Sequence, residues 1–393
     1  MLVVVKFGGT SLGTGERVAR AAESVATAVG AGHRVVVVAS AMGSTTDELL
    51  SEIEFDAPQD DRAEILSMGE RTAVRMLKAA LTARGVDATY LEPGDDDWPV
   101  LADDRGEVVV DDTHERARRL ADSAADRVPV VAGFLAETPD GRVTTLGRGG
   151  SDTTAMMLGR YMEADEVVIV TDVEGVMTAD PRVVEEARNV ASISVDELRD
   201  LSFRGAEVIA PSALAYKTDA MNVRVVHYQH DDLLSGGTSV EGEFRNLVDL
   251  REQSLASLTV AGRAIRNRPG VLQELSTALG ENEVNVDAVA SGMDSVTFYV
   301  DDAVAAEAEA ILHEAVVDHE PLSSVTVDDG IAVVRVTGGE LPDRPGVLSG
   351  IIAPLAEAHI TVLELITSAT SVSVFVDWDD RERALEIVQD TVS

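Results

Sequence analysis

Cysteine is absent from all 393 residues. That excludes disulfides, thiolate metal sites and cysteine nucleophiles, and gives no support to secretion. Aromatic residues make up 4% of the chain. No apolar run approaches the roughly 20 residues of a membrane span, and Lys6 interrupts the short run Leu2 to Val5, so no signal peptide is read either. A cytoplasmic protein is expected. Positive charge is also scarce: 32 Lys+Arg stand against 70 Asp+Glu, for a net charge of −38 and a pI near 4.3. Such a field repels nucleic acid and anionic membranes, so neither is expected as a partner. It also strains a compact chain unless salt screens it, and the Debye length is only about 3 Å at 1 M. Lysine is the scarcest cation, present only as Lys6, Lys78 and Lys217. Together the charge and the arginine-over-lysine skew point to a salt-rich cytoplasm.

What is present is a chain long enough, at 45% hydrophobic, for two or three domains. From residue 1 to about 240, the β-branched runs 2–5, 34–40, 128–134, 166–171 and 223–227 are continuous rather than alternating, as in strands buried on both faces. Helical patterns over 16–29, 61–85 and 151–164 separate them. The alternation predicts an α/β fold, a mostly parallel sheet with helices on both faces. In such sheets ligands lie beyond the carboxyl ends of the strands. After residue 240 the pattern changes. Arg268-Pro-Gly-Val-Leu272 recurs as Arg344-Pro-Gly-Val-Leu348, and the same offset of 76 carries Ser295-Val296 to Ser371-Val372 and Val300-Asp301 to Val376-Asp377. This internal repeat predicts two copies of one βαβ-type module, over 255–327 and 328–393, each in the order strand, Pro-Gly turn into a helix, strand, short turn, strand.

Three motifs fall where ligands belong. In KFGGTS (6–11), Gly8 and Gly9 permit close approach of the backbone, the next helix offers free N–H groups, and Lys6 supplies an ammonium suited to a phosphoryl group. The spacing matches neither a P-loop nor a dinucleotide fingerprint. In TTLGRGGSDTTA (144–155), Ser151 or Asp152 fits a helix cap, but Arg148 among three glycines reads as an anion site. In VIVTDVEGVMTADPRVV (168–184), Thr171 and Asp172 end a buried strand, where a nucleotide's base or ribose is held; an Asp turn is the plainer reading. Ser40, Thr45 and Thr46 also fit a helix cap, and Glu70 a solvated face, although Gly69 beside it hints at close approach within a helix. His227, His230, Asp231 and Asp232 read as a surface turn rather than a metal cluster.

Taken in order, KFGGTS, SAMGSTTDEL, SMGE, GRGGSDTTA, TDVEGVMTADPRVV and the duplicated Arg-Pro-Gly-Val modules resemble the aspartate kinases, amino acid kinases that carry a pair of C-terminal ACT domains. The resemblance spans essentially the whole chain. It implies an αβα sandwich of residues 1–240, two ACT-like modules, of which the second can lie within the first, and transfer of the ATP γ-phosphoryl to the β-carboxylate of L-aspartate with Mg²⁺. Lys6 would stabilise the moving phosphoryl, and Asp152 would hold Lys6 in place. Gly8, Gly9, Thr10, Ser11, Ser40, Thr171, Asp172, Met177, Asp180 and Arg182 would take the nucleotide. Thr46, Glu70, Arg148 and Ser151 would take aspartate, Glu70 through the substrate ammonium. No dedicated protein metal ligand is assigned.

Two positions depart from the family. Glu207 stands where a nucleotide-binding lysine is usual, to be offset by Mg²⁺ or a nearby cation such as Lys217, and Met177 stands where an aromatic residue is usual. The ACT pair implies feedback by an amino acid such as lysine or threonine, with Asn285, Asp287 and Ser291 as contacts, and a place at the head of lysine, threonine and methionine biosynthesis. A homodimer or larger homo-oligomer is expected. Two other readings remain open: another amino acid kinase, and an amino-acid sensor whose kinase domain is inactive.

Overall fold

Valine-rich runs form the centre of the first of two units, Met1–Phe244 and Arg245–Ser393, in a computed structural model. It describes residues 1–103, 106–180, 183–203, 208–244, 247–263, 265, 269–318, 322–338, 346–368 and 370–392. The strands of the first unit are β1 (Leu2–Phe7), β2 (Arg34–Ala39), β3 (Ala88–Leu91), β4 (Val128–Ala132), β5 (Leu135–Glu137), β6 (Val143–Thr145), β7 (Glu166–Thr171), β8 (Ser192–Ser194), β9 (Asn222–His227) and β10 (Thr238–Glu241). Eight of them form one sheet in the order β3-β4-β2-β1-β7-β9-β10-β8, and β5 and β6 form a separate hairpin. Every neighbouring pair in the large sheet is parallel except β9 with β10.

Continuous apolar runs suit this arrangement because both faces of the central strands are covered. Val3, Val4, Val5, Val36, Val37 and Val38 are all fully buried. Helices Gly15–Gly30 and Gln59–Thr82 pack on each other, and Gly150–Tyr161 packs on Val110–Ser123 and Pro211–Leu214. Helix Gly150–Tyr161 lies so close to β7 that a Cβ on Gly159 would stand 2.3 Å from Val167 Cγ2. The parallel strands bring the carboxyl ends of β1, β2, β4 and β7 to one edge, and the motif residues gather there.

The second unit holds β11 (Leu247–Leu250), β12 (Leu255–Gly262), β13 (Ala288–Ser291), β14 (Ser295–Asp301), β15 (Leu322–Thr337), β16 (Val362–Thr367) and β17 (Ser371–Asp377), all antiparallel. The offset of 76 seen in the sequence is exact in three dimensions: Val271–Glu281 answers Val347–Glu357, and β14 answers β17. Gly270 and Gly346 precede those helices at φ 99° and 94°, a left-handed geometry that explains the glycine of each Pro-Gly pair. Each copy has its own core, one around Leu275, Phe298 and Leu312, the other around Leu355, Val374 and Val388.

The two copies interleave. β15 is one 16-residue strand whose first half pairs with β12 and whose second half pairs with β17 and β11. Val248 and Leu250 of β11 pack on the core of the second copy. The first copy therefore lies between two pieces of the second, and the expected boundary at 327/328 falls inside a continuous strand. Among the described residues, no helix is long and apolar enough to cross a membrane.

Candidate active site

Lys6 is the fifth residue of β1 and lies between Val38 of β2 and Ile169 of β7, so the sheet itself fixes its direction. Its Nζ stands 2.6 Å from Asp152 Oδ1, and both side chains are 13% exposed. The contact lies off the ideal hydrogen-bond direction, so it acts as an ion pair more than an aligned bond. The other Asp152 oxygen, Oδ2, accepts from Ala210 N at 3.1 Å, which fixes the carboxylate. Gly8 matters here for space: a Cβ on it would come within 3.3 Å of Lys6 Nζ.

Lys6 and Asp152 open on a cleft of about 400 Å³ that Gly9, Ser40, Ala41, Gly43, Thr46, Asp47, Glu70, Phe134 and the loop Gly147–Ser151 also line. Arg148, exposed at its rim, therefore shares one cavity with Lys6. Gly147 and Gly149 adopt φ 74° and 75°, the left-handed turn that presents Arg148 and starts helix Gly150–Tyr161. Ser151 sits in the first turn of that helix, where free N–H groups favour an anion. Gly133 lets β4 approach it, since a Cβ there would stand 2.8 Å from Ser151 Oγ.

Glu70 is 3% exposed. Its Oε1 accepts from Ala41 N at 3.1 Å, while Oε2 is buried without a hydrogen-bond partner among the described residues. Burial pushes its carboxyl up to about 7, and the bond from Ala41 only partly opposes this. A buried oxygen of this kind, on a residue that lines a polar cleft, is suited to an ammonium. The close approach read from Gly69 is real, because a Cβ there would lie 2.7 Å from Ala41 Cβ and 3.5 Å from Thr46 Oγ1.

The remaining sequence-predicted residues divide. Thr10 is exposed on the glycine turn, whereas Ser11 is 1% exposed and its hydroxyl donates to Val170 O at 3.1 Å, so it braces the turn from within. Thr171 and Asp172 lie at the end of β7, one step beyond the Phe7–Val170 register, and Thr171 Oγ1 donates to Asp172 Oδ1 at 3.3 Å. Met177 and Asp180 follow in the next loop. These four do not line the Lys6 cleft; Thr171 and Asp172 stand at the end of β7, the neighbour of β1, and Met177 bridges to Asn189. Arg182 and Glu207 lie outside the described residues. Asn285, Asp287 and Ser291 belong to the second unit, where Arg251 holds Asp287 through two bonds of 3.3 and 3.2 Å.

Lys217, weighed in the sequence as a cation near Glu207, is a buried structural contact. It is 2% exposed and donates to Thr218 O at 2.8 Å and Gly242 O at 2.7 Å. Asp47 and Phe134 line the cleft without having been singled out. Phe134 ends the run 128–134 at φ 67°, and the rule that ligands gather at strand carboxyl ends was enough to find it. Among the described residues, no three His, Asp or Glu side chains converge as a metal site. A Mg²⁺ ion fits this donor set only as one held chiefly by phosphates and water.

Residues 1–227 match the amino acid kinase family, and residues 258–316 and 326–390 each match an ACT domain. Aspartokinase 2 of Bacillus subtilis is 33% identical, over 99% of this chain and 97% of its own. The aspartokinase of Corynebacterium glutamicum is 32% identical, over 98% and 94%. Among solved structures, aspartate kinase from Synechocystis superposes with a TM-score of 0.79 at 28% identity, over all of this chain and 69% of that one.

Proposed function

The chain belongs to the amino acid kinase family, among its aspartokinases with paired ACT domains, and on that premise we propose that it transfers the γ-phosphoryl of ATP to the β-carboxylate of L-aspartate, giving 4-phospho-aspartate. The observation that carries this reading is the Lys6–Asp152 pair, 2.6 Å apart, in the cleft that Arg148 and Glu70 share. A carboxylate nucleophile is already ionised at neutral pH, so the reaction needs no general base. What remains is positioning and charge stabilisation, the large terms in phosphoryl transfer.

Each residue then has a role. Lys6 places a compact positive charge on the moving phosphoryl, and Asp152 keeps it aimed. Arg148 takes a substrate carboxylate, Glu70 Oε2 takes the substrate ammonium, and Thr46 and Ser151 complete that end. Gly8, Gly9, Thr10 and Ser40 give the nucleotide phosphates a close backbone, braced by Ser11, and Thr171, Asp172, Met177, Asp180 and Arg182 take the rest of the nucleotide. Mg²⁺ would supply charge neutralisation on the phosphates. Against a net charge of −38, Lys6 and Arg148 form a local positive island for two anionic substrates.

The ACT pair supports regulation of the kinase by an amino acid, lysine or threonine, bound near Asn285, Asp287 and Ser291 in a homodimer or larger assembly. The acidic composition supports work in a salt-rich cytoplasm, and the product would feed lysine, threonine and methionine biosynthesis. The test is an assay with ATP, L-aspartate and hydroxylamine in multimolar KCl. Aspartyl hydroxamate formed with ADP supports the proposal. Equal yield from L-glutamate would indicate another amino acid kinase, and binding of both substrates without hydroxamate would indicate a sensor.

A further inference from the structure

Two backbone segments meet beside β7: the glycine turn 8–13 and the strand end at Thr171. Val170 O accepts from Gly8 N at 3.2 Å and from Ser11 Oγ at 3.1 Å. One residue on, Thr171 O accepts from Tyr228 N at 2.8 Å. The Tyr228 ring carries the Arg17 guanidinium, 4.5 Å from its centroid, and Arg17 Nη1 donates back to Thr10 O. These contacts form a closed circuit from the turn to the strand end and back. Arg17 is anchored as well at its own backbone, where its N–H donates to Thr14 Oγ1, the cap of helix Gly15–Gly30. The His227 ring packs against Tyr228 with centroids 4.5 Å apart.

We propose that Arg17 and Tyr228 are positioning residues for the nucleotide: together they brace the Thr10 turn against the strand end at Thr171 and set the spacing of the groove that takes a nucleoside triphosphate. The inference rests on the phosphotransfer reading above. Arg17 holds the Thr10 carbonyl and Tyr228 the Thr171 carbonyl, so both act through the backbone they hold. The chemistry suits a brace. A planar guanidinium stacks on an aromatic face while its edge still donates to a carbonyl, which an ammonium does poorly. In a chain this acidic, an arginine committed to a ring and a carbonyl is also not simply paired with the nearest carboxylate. Displacement of a substrate-holding segment by about 1 Å is enough to cost orders of magnitude in rate, so a brace here has leverage on the nucleotide and little on aspartate.

The test uses the full-length enzyme in concentrated KCl, with Arg17→Met, Tyr228→Leu, the double variant and Tyr228→Phe. The expected result is an apparent ATP constant raised about tenfold by Arg17→Met and less by Tyr228→Leu, with the aspartate constant within about twofold of wild type. The double variant should be no worse than Arg17→Met, because both changes break the same brace. Tyr228→Phe keeps the ring and should behave as wild type. Strictly additive effects, or ATP and aspartate constants rising together, would overturn the proposal. Calorimetry of ATP binding separates it from the reading beneath it. A wild-type enzyme that does not bind ATP overturns both, whereas Arg17→Met binding ATP as well as wild type overturns the brace alone.

Discussion

Lys6 and Lys217 are two of only three lysines in the chain, both largely withdrawn from solvent, and they occupy opposite chemical settings. Lys6 faces a carboxylate and lines the wall of a cleft that an anion can enter. Lys217 is closed in and donates to two backbone carbonyls, which take two of its three protons without cancelling its charge. Burial accordingly holds the Lys217 ammonium below the usual lysine range, with Asp219, Glu243 and Glu241 opposing the shift. The contrast separates a charge kept available for a ligand from one used to tie down the segment that ends at Phe244, whose N–H donates to Lys217 O at 3.1 Å.

The sharpest way to break this comparison is to remove each ammonium while keeping its volume. Lys6→Met should lower turnover by about 10²- to 10³-fold, the usual effect of deleting one transition-state charge partner, with little change in the unfolding midpoint. Next in size, Arg148→Ala should raise the aspartate constant by at least about tenfold with a much smaller effect on ATP, because it removes a charged partner of the acceptor alone. Equal effects on both substrates would place Arg148 elsewhere.

The proposed role of Glu70 carries a pH signature. In that role its ionised form takes the substrate ammonium, and burial pushes its carboxyl up to about 7. The aspartate constant should therefore fall as pH rises through about 7 and then level off, whereas Glu70→Gln should bind aspartate weakly and lose that limb. The stability sign is the reverse. Because the folded value exceeds the unfolded one, the stability owed to protonated Glu70 is present below about 4.5 and lost as pH rises through about 7. Denaturation of the ligand-free enzyme across that range should be steeper in wild type than in Glu70→Gln.

The smallest expected effect on catalysis belongs to Lys217→Met. It leaves the Thr218 and Gly242 carbonyls without their donor, worth about 2 kcal/mol and hence several degrees in unfolding temperature, with turnover within about twofold of wild type. A large loss of turnover at unchanged stability would erase the distinction between the two lysines.

Much of this architecture is legible in the sequence because its signals are local. Runs such as Val3–Val5 and Val35–Val38 are apolar without interruption, which only a strand covered on both faces requires. The offset of 76 needs no structural input, and the cleft residues from Lys6 to Asp152 sit at strand carboxyl ends or on the helices beside them. What escapes is pairing across long separations. The four-residue strand Leu247–Leu250 has too little periodicity to announce a partner at Val334–Thr337. Arg17 and Tyr228 are 211 positions apart, and an arginine in a first helical turn reads as an ordinary solvated residue. Lys217 looked available because rarity marks a lysine as important without saying whether its protons are already taken.

The most direct test measures binding and transfer separately in Lys6→Ala. ATP and L-aspartate dissociation constants are taken by calorimetry, and phosphoryl transfer by rapid quench at saturating substrates, all in concentrated KCl. The ammonium's role in the reaction predicts binding within about tenfold of wild type and transfer slowed by about a hundredfold or more. Transfer at a near-normal rate would contradict it.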